Sequence, residues 1–189
     1  MAMTDEKMLL VLDLDETLIH SKESREATDY DFLLFRFKVY LRPFLAEFLH
    51  DMSTHYRMAI WSSASDRYVD EMVKQIIPAE MKLEFAWGRS MCTLSQSPAF
   101  HEEARESHHN FVKKLKKVEK LGFSLNRTLI VDDSPEKCVY NHGNAIYPTP
   151  FEGDRSDREL LLLRDYLIEL SKVENVRTIE KRHWRNQTK

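Results

Sequence analysis

The chain has 189 residues, 42% of them hydrophobic and 11% aromatic, which is enough for one folded domain with a full core and excludes a disordered chain. A formal net charge of -3 argues against general nucleic-acid binding, which needs a basic face. Two distant cysteines, Cys92 and Cys138, fit a reduced protein rather than a disulfide framework, and no apolar run is long enough to span a bilayer.

Lys7–Asp13 (KMLLVLD) is a short apolar run of the kind a buried parallel strand needs. Leu33, Phe35, Phe37, Val39 and Leu41 alternate with Leu34, Arg36, Lys38 and Tyr40, predicting a strand or hairpin with one covered face. Pro43 suits the first position of a helix whose apolar stripe is Phe44, Leu45, Phe48, Leu49 and Met52. Arg57–Trp61 is a second buried strand, and Tyr68, Val69, Met72, Val73 and Ile76 form a helical face that Pro78 stops. Residues 85–110 are polar and carry no clear period.

Phe111, Leu115 and Val118 then predict a helix with Gly122 just past its end. Thr128–Val131 is a third buried strand, Ser134–Pro135 can open a short helix, and Ala145–Tyr147 is a candidate fourth strand. The last helix is expected from Asp157, its N-cap, to about Glu174. Strands alternating with helices give an α/β fold, a Rossmann-like parallel sheet with helices on both faces. There is no repeat or low-complexity segment, so residues 1–176 are expected to form one domain. Residues 177–189, with Lys181, Arg182, Arg185 and Lys189, are expected to be a basic solvated tail. A soluble cytoplasmic monomer with no membrane or nucleic-acid partner is the expectation.

In such sheets, ligands bind beyond the carboxyl ends of the strands. Asp13 and Asp15 follow the first apolar run, Ser62 the second, and Asp132 and Asp133 the third. That shared placement argues for a single site. Asp13 and Asp15 point the same way on extended chain, and paired carboxylates stay ionised only with a cation between them, or else one takes up a proton. A hard cation suits oxygen ligands and phosphate, whereas a protonated carboxyl can donate to a leaving alcohol. Ser62 can hold a phosphate oxygen, while Ser65 fits the role of helix cap better. The adjacent Asp132 and Asp133 either bind a cation or cap the turn at Ser134. By pattern alone Lys113 is an ordinary solvated lysine in a Lys-rich helix, and His20 a strand-end or loop residue rather than a catalyst. Cys92, His101, His108 and His109 match no compact zinc module.

Together, DLDETLIHS (13–21), YLRPFLAEFL (40–49), WSSASDRYVD (61–70), NFVKKL (110–115), VDDSPEKC (131–138) and GNAIYPTPFEGDRSDREL (143–160) resemble the haloacid-dehalogenase superfamily. More narrowly they resemble its FCP/SCP-type, NLI-interacting-factor-like phosphatases, a group that includes the RNA polymerase II C-terminal-domain phosphatases. The resemblance implies that Asp13 is the nucleophile and Asp15 the acid and base. It implies that Ser62 holds a phosphate oxygen and that Lys113 neutralises the phosphate. Mg²⁺ would be bound by Asp13, the carbonyl of Asp15 and Asp133, with Asp132 in support, though the split between the last two is open. Thr17, Ser63, Tyr68 and Arg89 are candidate substrate-binding residues.

Ser62 and the Asp132-Asp133 pair depart from the Thr and the Asp-Asn usual in the family. Only a small insert fits around residues 79–109, so no large cap domain is expected. An open site favours a phosphoserine or phosphothreonine on a protein segment. A small-molecule phosphatase and a non-catalytic phosphoprotein-binding module are the competing readings.

Overall fold

The computed structural model describes residues 7–24, 28–95 and 111–187. Its centre is a five-stranded parallel sheet. β1 (Met8–Leu12) lies in the middle, flanked by β5 (Tyr56–Trp61) and β9 (Thr128–Val131), with β6 (Leu83–Trp87) and β10 (Ala145–Ile146) at the edges. Every residue of β1 is buried, which explains the unbroken apolar run: both faces are covered. Met8, Leu10 and Leu12 face α1 (Leu45–His55), α2 (Asp66–Ile76) and α3 (Glu159–Leu170), whereas Leu9 and Val11 face a smaller cluster with Trp61, Phe85, Leu115 and Val118.

Local chemistry sets the helix ends. The Ser65 hydroxyl caps α2 by accepting from the Tyr68 amide at 3.4 Å. Asp66 in the first turn and Lys74 in the last complement the helix dipole. α3 begins at Glu159, not at Asp157; the Asp157 carboxylate accepts from the Glu159 amide while gripping Arg42 through both oxygens. Phe44, expected on the stripe of α1, instead precedes it in the left-handed region at φ 66°.

Between β1 and α1 sits an antiparallel sheet of β2 (Ile19–Lys22), β4 (Phe37–Leu41) and β3 (Phe32–Leu34). The single alternating face expected over residues 33–41 is broken by the turn at Phe35 and Arg36, where Phe35 takes φ 54°. Two turn residues reset the phase, so Leu34 and Val39 are buried while Leu33 and Phe35 are exposed.

Three further differences lie beyond α2. β6 forms in the stretch without a clear period; its edge position leaves it half covered, and Glu84 is tied to Arg57 of β5 at 2.7 Å. The helix expected from Phe111 starts later. β8 (Phe111–Val112) pairs with β7 (Thr93–Leu94), and a 3₁₀ helix then runs Leu115–Leu121, closed by Gly122 at φ 89°. The basic stretch after residue 177 is not simply solvated: Trp184 is buried and stacks on Tyr166, and the Lys181 ammonium donates to the carbonyls of Gly143, Val176 and Ile179. Arg182 is exposed beside Glu180, whereas Arg185 reaches Glu159 and the Thr149 hydroxyl, and charge alone hides the apolar anchor between them.

Candidate active site

Chain order in the sheet reverses beside β1: β5 and β6 extend to one side, β9 and β10 to the other. The carboxyl ends of β1 and β9 therefore bound the switch-point crevice where ligands of such sheets bind. Asp13 leaves β1 there and Asp132 and Asp133 leave β9; one oxygen from each lies within 4.8 Å of the others, a group able to hold a metal ion.

Lys113 closes the cluster. It is fully buried, and its ammonium donates to Asp13 Oδ1 at 2.6 Å and Asp132 Oδ2 at 2.5 Å. Burial alone would depress this lysine, but the two carboxylates hold its pKa well above the ordinary value. It sits between β8 and the 3₁₀ helix rather than on a solvated helix face. Its amide donates to the Lys137 carbonyl and its carbonyl accepts from Asn141, which orients the buried stem.

Each remaining aspartate oxygen has a defined environment. Asp132 Oδ1 accepts from the Ser134 amide at 2.9 Å, so both Asp132 oxygens are engaged, one as a turn cap and one on Lys113. Asp133 Oδ1 and Oδ2 accept only hydroxyls, from Thr17 at 3.3 Å and Ser134 at 3.1 Å. Asp13 Oδ2 is buried with no hydrogen-bond partner; the Lys137 ammonium lies 3.8 Å from it.

Asp15 stands beside this cluster. Burial, then the nearby Asp13 charge, lift its carboxyl to about 6 against the opposing pull of a hydrogen bond from Tyr68. The Tyr68 hydroxyl lies 2.8 Å from Asp15 Oδ1 and 2.6 Å from Ser21 Oγ. A phenol has one proton, so while Asp15 is ionised Tyr68 donates to it and accepts from Ser21. Glu16, at φ 59° in the same turn, is raised to about 8, first by burial and then by Asp15 and Asp133. Burial and Asp13 likewise push Asp132 and Asp133 up. Burial is the first cause of each of these upward shifts and a neighbouring carboxylate the second, and an added cation would relieve the repulsion between the carboxylates.

The other sequence candidates divide. Ser62 is buried at the end of β5, its hydroxyl accepting from the Ala64 amide at 3.0 Å. Arg89 reaches back to the Ser63 carbonyl at 2.9 Å. That approach needs Gly88, where a Cβ would come within 2.7 Å of the Asp66 Cα. Thr17 is fully buried, and its hydroxyl is held by the amide and carboxylate of Asp133, so it positions Asp133 rather than facing open space. Both cysteines are free. His101, His108 and His109 lie outside the described residues. Among residues given no role from the sequence, Lys137 is the main addition; it lies inside the motif VDDSPEKC (131–138), four residues after Asp133.

The profile of the NLI interacting factor-like phosphatase family matches residues 8–177. The chain belongs to this family. The resemblance seen in the motifs thus holds over nearly the whole length. Among members, the "CTD small phosphatase-like protein 2" of Dictyostelium discoideum is 32% identical over 178 residues, covering 90% of this chain and 29% of that protein. The human "Carboxy-terminal domain RNA polymerase II polypeptide A small phosphatase 1" is 28% identical over 186 residues, covering 94% and 65%. The chain therefore spans less than two thirds of the length of either relative. The solved structure of "Fcp1, an essential RNA polymerase II CTD phosphatase" shares the fold, with a TM-score of 0.55 at 20% identity, over 88% of this chain and 50% of that one. Among the described residues, no helix is long and apolar enough to cross a membrane.

Proposed function

We propose that this chain is a Mg²⁺-dependent phosphomonoester hydrolase that works through an aspartyl phosphate on Asp13, with phosphoserine or phosphothreonine of a protein segment as substrate. The observation that carries the reading is the Asp13 carboxylate: one oxygen is clamped by buried Lys113, while the other is buried with no hydrogen-bond partner beside two further aspartates. An unpartnered buried carboxylate oxygen is costly unless a ligand completes it.

The donor set fits a hard divalent cation. All of it is oxygen, and four carboxylates, Asp13, Asp15, Asp132 and Asp133, face two lysines, Lys113 and Lys137. Asp13 and Asp133 are the direct side-chain ligands in this reading, because Asp132 already gives both oxygens to Lys113 and Ser134. The Asp15 carbonyl would join them. When bound, Mg²⁺ would draw charge from the phosphate oxygens and make phosphorus more electrophilic.

The chemistry of the chain's own groups follows in two steps. An Asp13 oxygen attacks phosphorus; the bond from phosphorus to the ester oxygen breaks, and Asp15 gives its proton to that oxygen as it leaves. Water then attacks the aspartyl phosphate, returning a proton to Asp15, and the phosphorus–Asp13 bond breaks to release phosphate. A carboxyl near 6 is suited to both transfers. Lys113 and Lys137 counter the charge of the phosphoryl group, and Ser62 holds one of its oxygens. The protein-segment substrate rests on the open groove beside Asp15 and on the names of the relatives.

The test is release of p-nitrophenol from p-nitrophenyl phosphate by wild type and Asp13→Asn, each with Mg²⁺ and with EDTA. Turnover lost in EDTA and in Asp13→Asn is the expected result. A folded wild type that is inert with Mg²⁺ would refute the assignment.

A further inference from the structure

A groove of about 680 Å³ opens beside Asp15. Its walls come from the β3–β4 hairpin (Phe35, Arg36, Phe37), the first turn of α2 (Arg67, Tyr68) and Arg89 beyond β6. Three of the ten residues that line the groove are arginines, in a chain whose net charge is -3. The carboxylates that reach the groove, Asp15 and Glu16, belong to the loop after β1.

The two outer arginines are available to a ligand. Arg67 is exposed; among the described residues its guanidinium lies over the Phe35 ring, 5.1 Å from the centroid, with no carboxylate paired to it. Arg36 lies over Phe37 and pairs with Glu23 at 3.1 Å, but those side chains are 72% and 61% exposed. Such surface pairs contribute little and exchange readily. Phe35 is 47% exposed at a positive φ, an uncommon backbone for a bulky residue, and it offers an apolar face between the charges.

We propose that this groove holds the polypeptide on the leaving-group side of the scissile phosphate and recognises a second negative charge on it, with Arg67 as the specificity-determining residue and Arg36 beside it. The inference rests on the phosphatase reading: Asp15 protonates the leaving oxygen, so the chain carrying that oxygen departs on the Asp15 side. The second charge is a carboxylate or phosphate side chain near the phosphorylated residue. Either presents paired oxygens to a forked guanidinium. A neutral neighbour gains nothing there, and a basic one is repelled.

The experiment uses phosphoserine peptides of one length that differ only at the flanking positions: alanine, glutamate, a second phosphoserine, or lysine. kcat/KM is measured for wild type, Arg67→Ala and Arg67→Glu, with p-nitrophenyl phosphate in parallel. Glutamate or phosphoserine is expected to raise wild-type kcat/KM about tenfold over alanine, the equivalent of one favourable charge contact. Arg67→Glu is expected to reverse the order and leave p-nitrophenyl phosphate turnover unchanged. Response to the second phosphate but not to glutamate supports the groove and names its anion. Equal rates on all four peptides would overturn the proposal while leaving the phosphatase reading intact, as would a preference that survives Arg67→Glu. Inactivity on every peptide and on p-nitrophenyl phosphate removes the reaction itself, and this proposal with it.

Discussion

Replacing Tyr68 by phenylalanine removes one hydroxyl and keeps the ring, which packs edge-on against Phe37 with centroids 5.9 Å apart. The lost hydroxyl is the one that donates to Asp15 at 2.8 Å. That bond favours the carboxylate, so its removal raises the Asp15 pKa above its value of about 6. Hydrogen bonds to charged groups contribute roughly 1.5–3 kcal/mol, and one pKa unit corresponds to about 1.36 kcal/mol. The full loss would be about one to two units. Ser21 Oγ sits 2.6 Å from the lost hydroxyl and can turn toward Asp15 with water, which leaves a rise of about one unit.

In the proposed mechanism Asp15 must carry a proton to assist the leaving group, so activity should fall as pH rises through its pKa. Tyr68→Phe should therefore move the alkaline limb of kcat/KM up by about one unit at saturating Mg²⁺. A phosphoserine peptide is the right substrate, because its alkoxide leaving group needs the proton; p-nitrophenyl phosphate should show a smaller change. A limb that stays in place or moves down would refute the link between Tyr68 and Asp15.

Lys113→Met leaves two buried carboxylates without their counter-charge, so folding stability should fall by about 3–5 kcal/mol in urea denaturation without Mg²⁺. The same variant should lose at least about a hundredfold in kcat. Lys137→Ala removes a cation 3.8 Å from Asp13 Oδ2, so Mg²⁺ should bind about tenfold more tightly by calorimetry while KM for the phosphate ester rises; unchanged Mg²⁺ affinity would rule out its electrostatic role. Arg42→Met strands Asp157 and frees the carbonyls of Thr17 and Thr149, so a loss of about 3–5 kcal/mol is expected, read by the same denaturation.

The parts of the fold visible in the sequence are those with one dominant physical cause. β1, β5 and β9 are buried on both faces and appear as apolar runs, and the aspartates at their ends stand where a parallel sheet gathers ligands. β6 was invisible because an edge strand with a paired Glu84 has no clean pattern. Lys113 looked like one of four lysines on a solvated helix, and only tertiary packing buries it; the family motif, not periodicity, singled it out. Lys137 lay inside the motif VDDSPEKC, yet nothing in its pattern marked it as a partner of Asp13. The hairpin phase was misread because a two-residue turn flips which side chains face inward, and nothing in an alternating apolar run marks where that turn falls.

The reacting cluster and the groove are built from different parts of the chain. Asp13, Asp132 and Asp133 are fixed by strands of the main sheet and Lys113 by the turn beside it, all of them buried or half-buried and tied by several contacts each. Arg36 and Phe35 sit on an exposed two-residue turn of a separate small sheet, and Arg67 lies in the first turn of a helix. On the proposed reading, substitutions in the hairpin should therefore change which peptide is bound without moving a carboxylate of the cluster. Tyr68 is the exception: its ring packs on Phe37 of the hairpin, its amide is capped by Ser65, and its hydroxyl meets Asp15. A peptide that shifts the hairpin would push on that ring, and the hydrogen bond that pulls the Asp15 pKa down against burial would register the shift. Through this side chain, the proposed peptide recognition and the acid strength of Asp15 would be physically coupled.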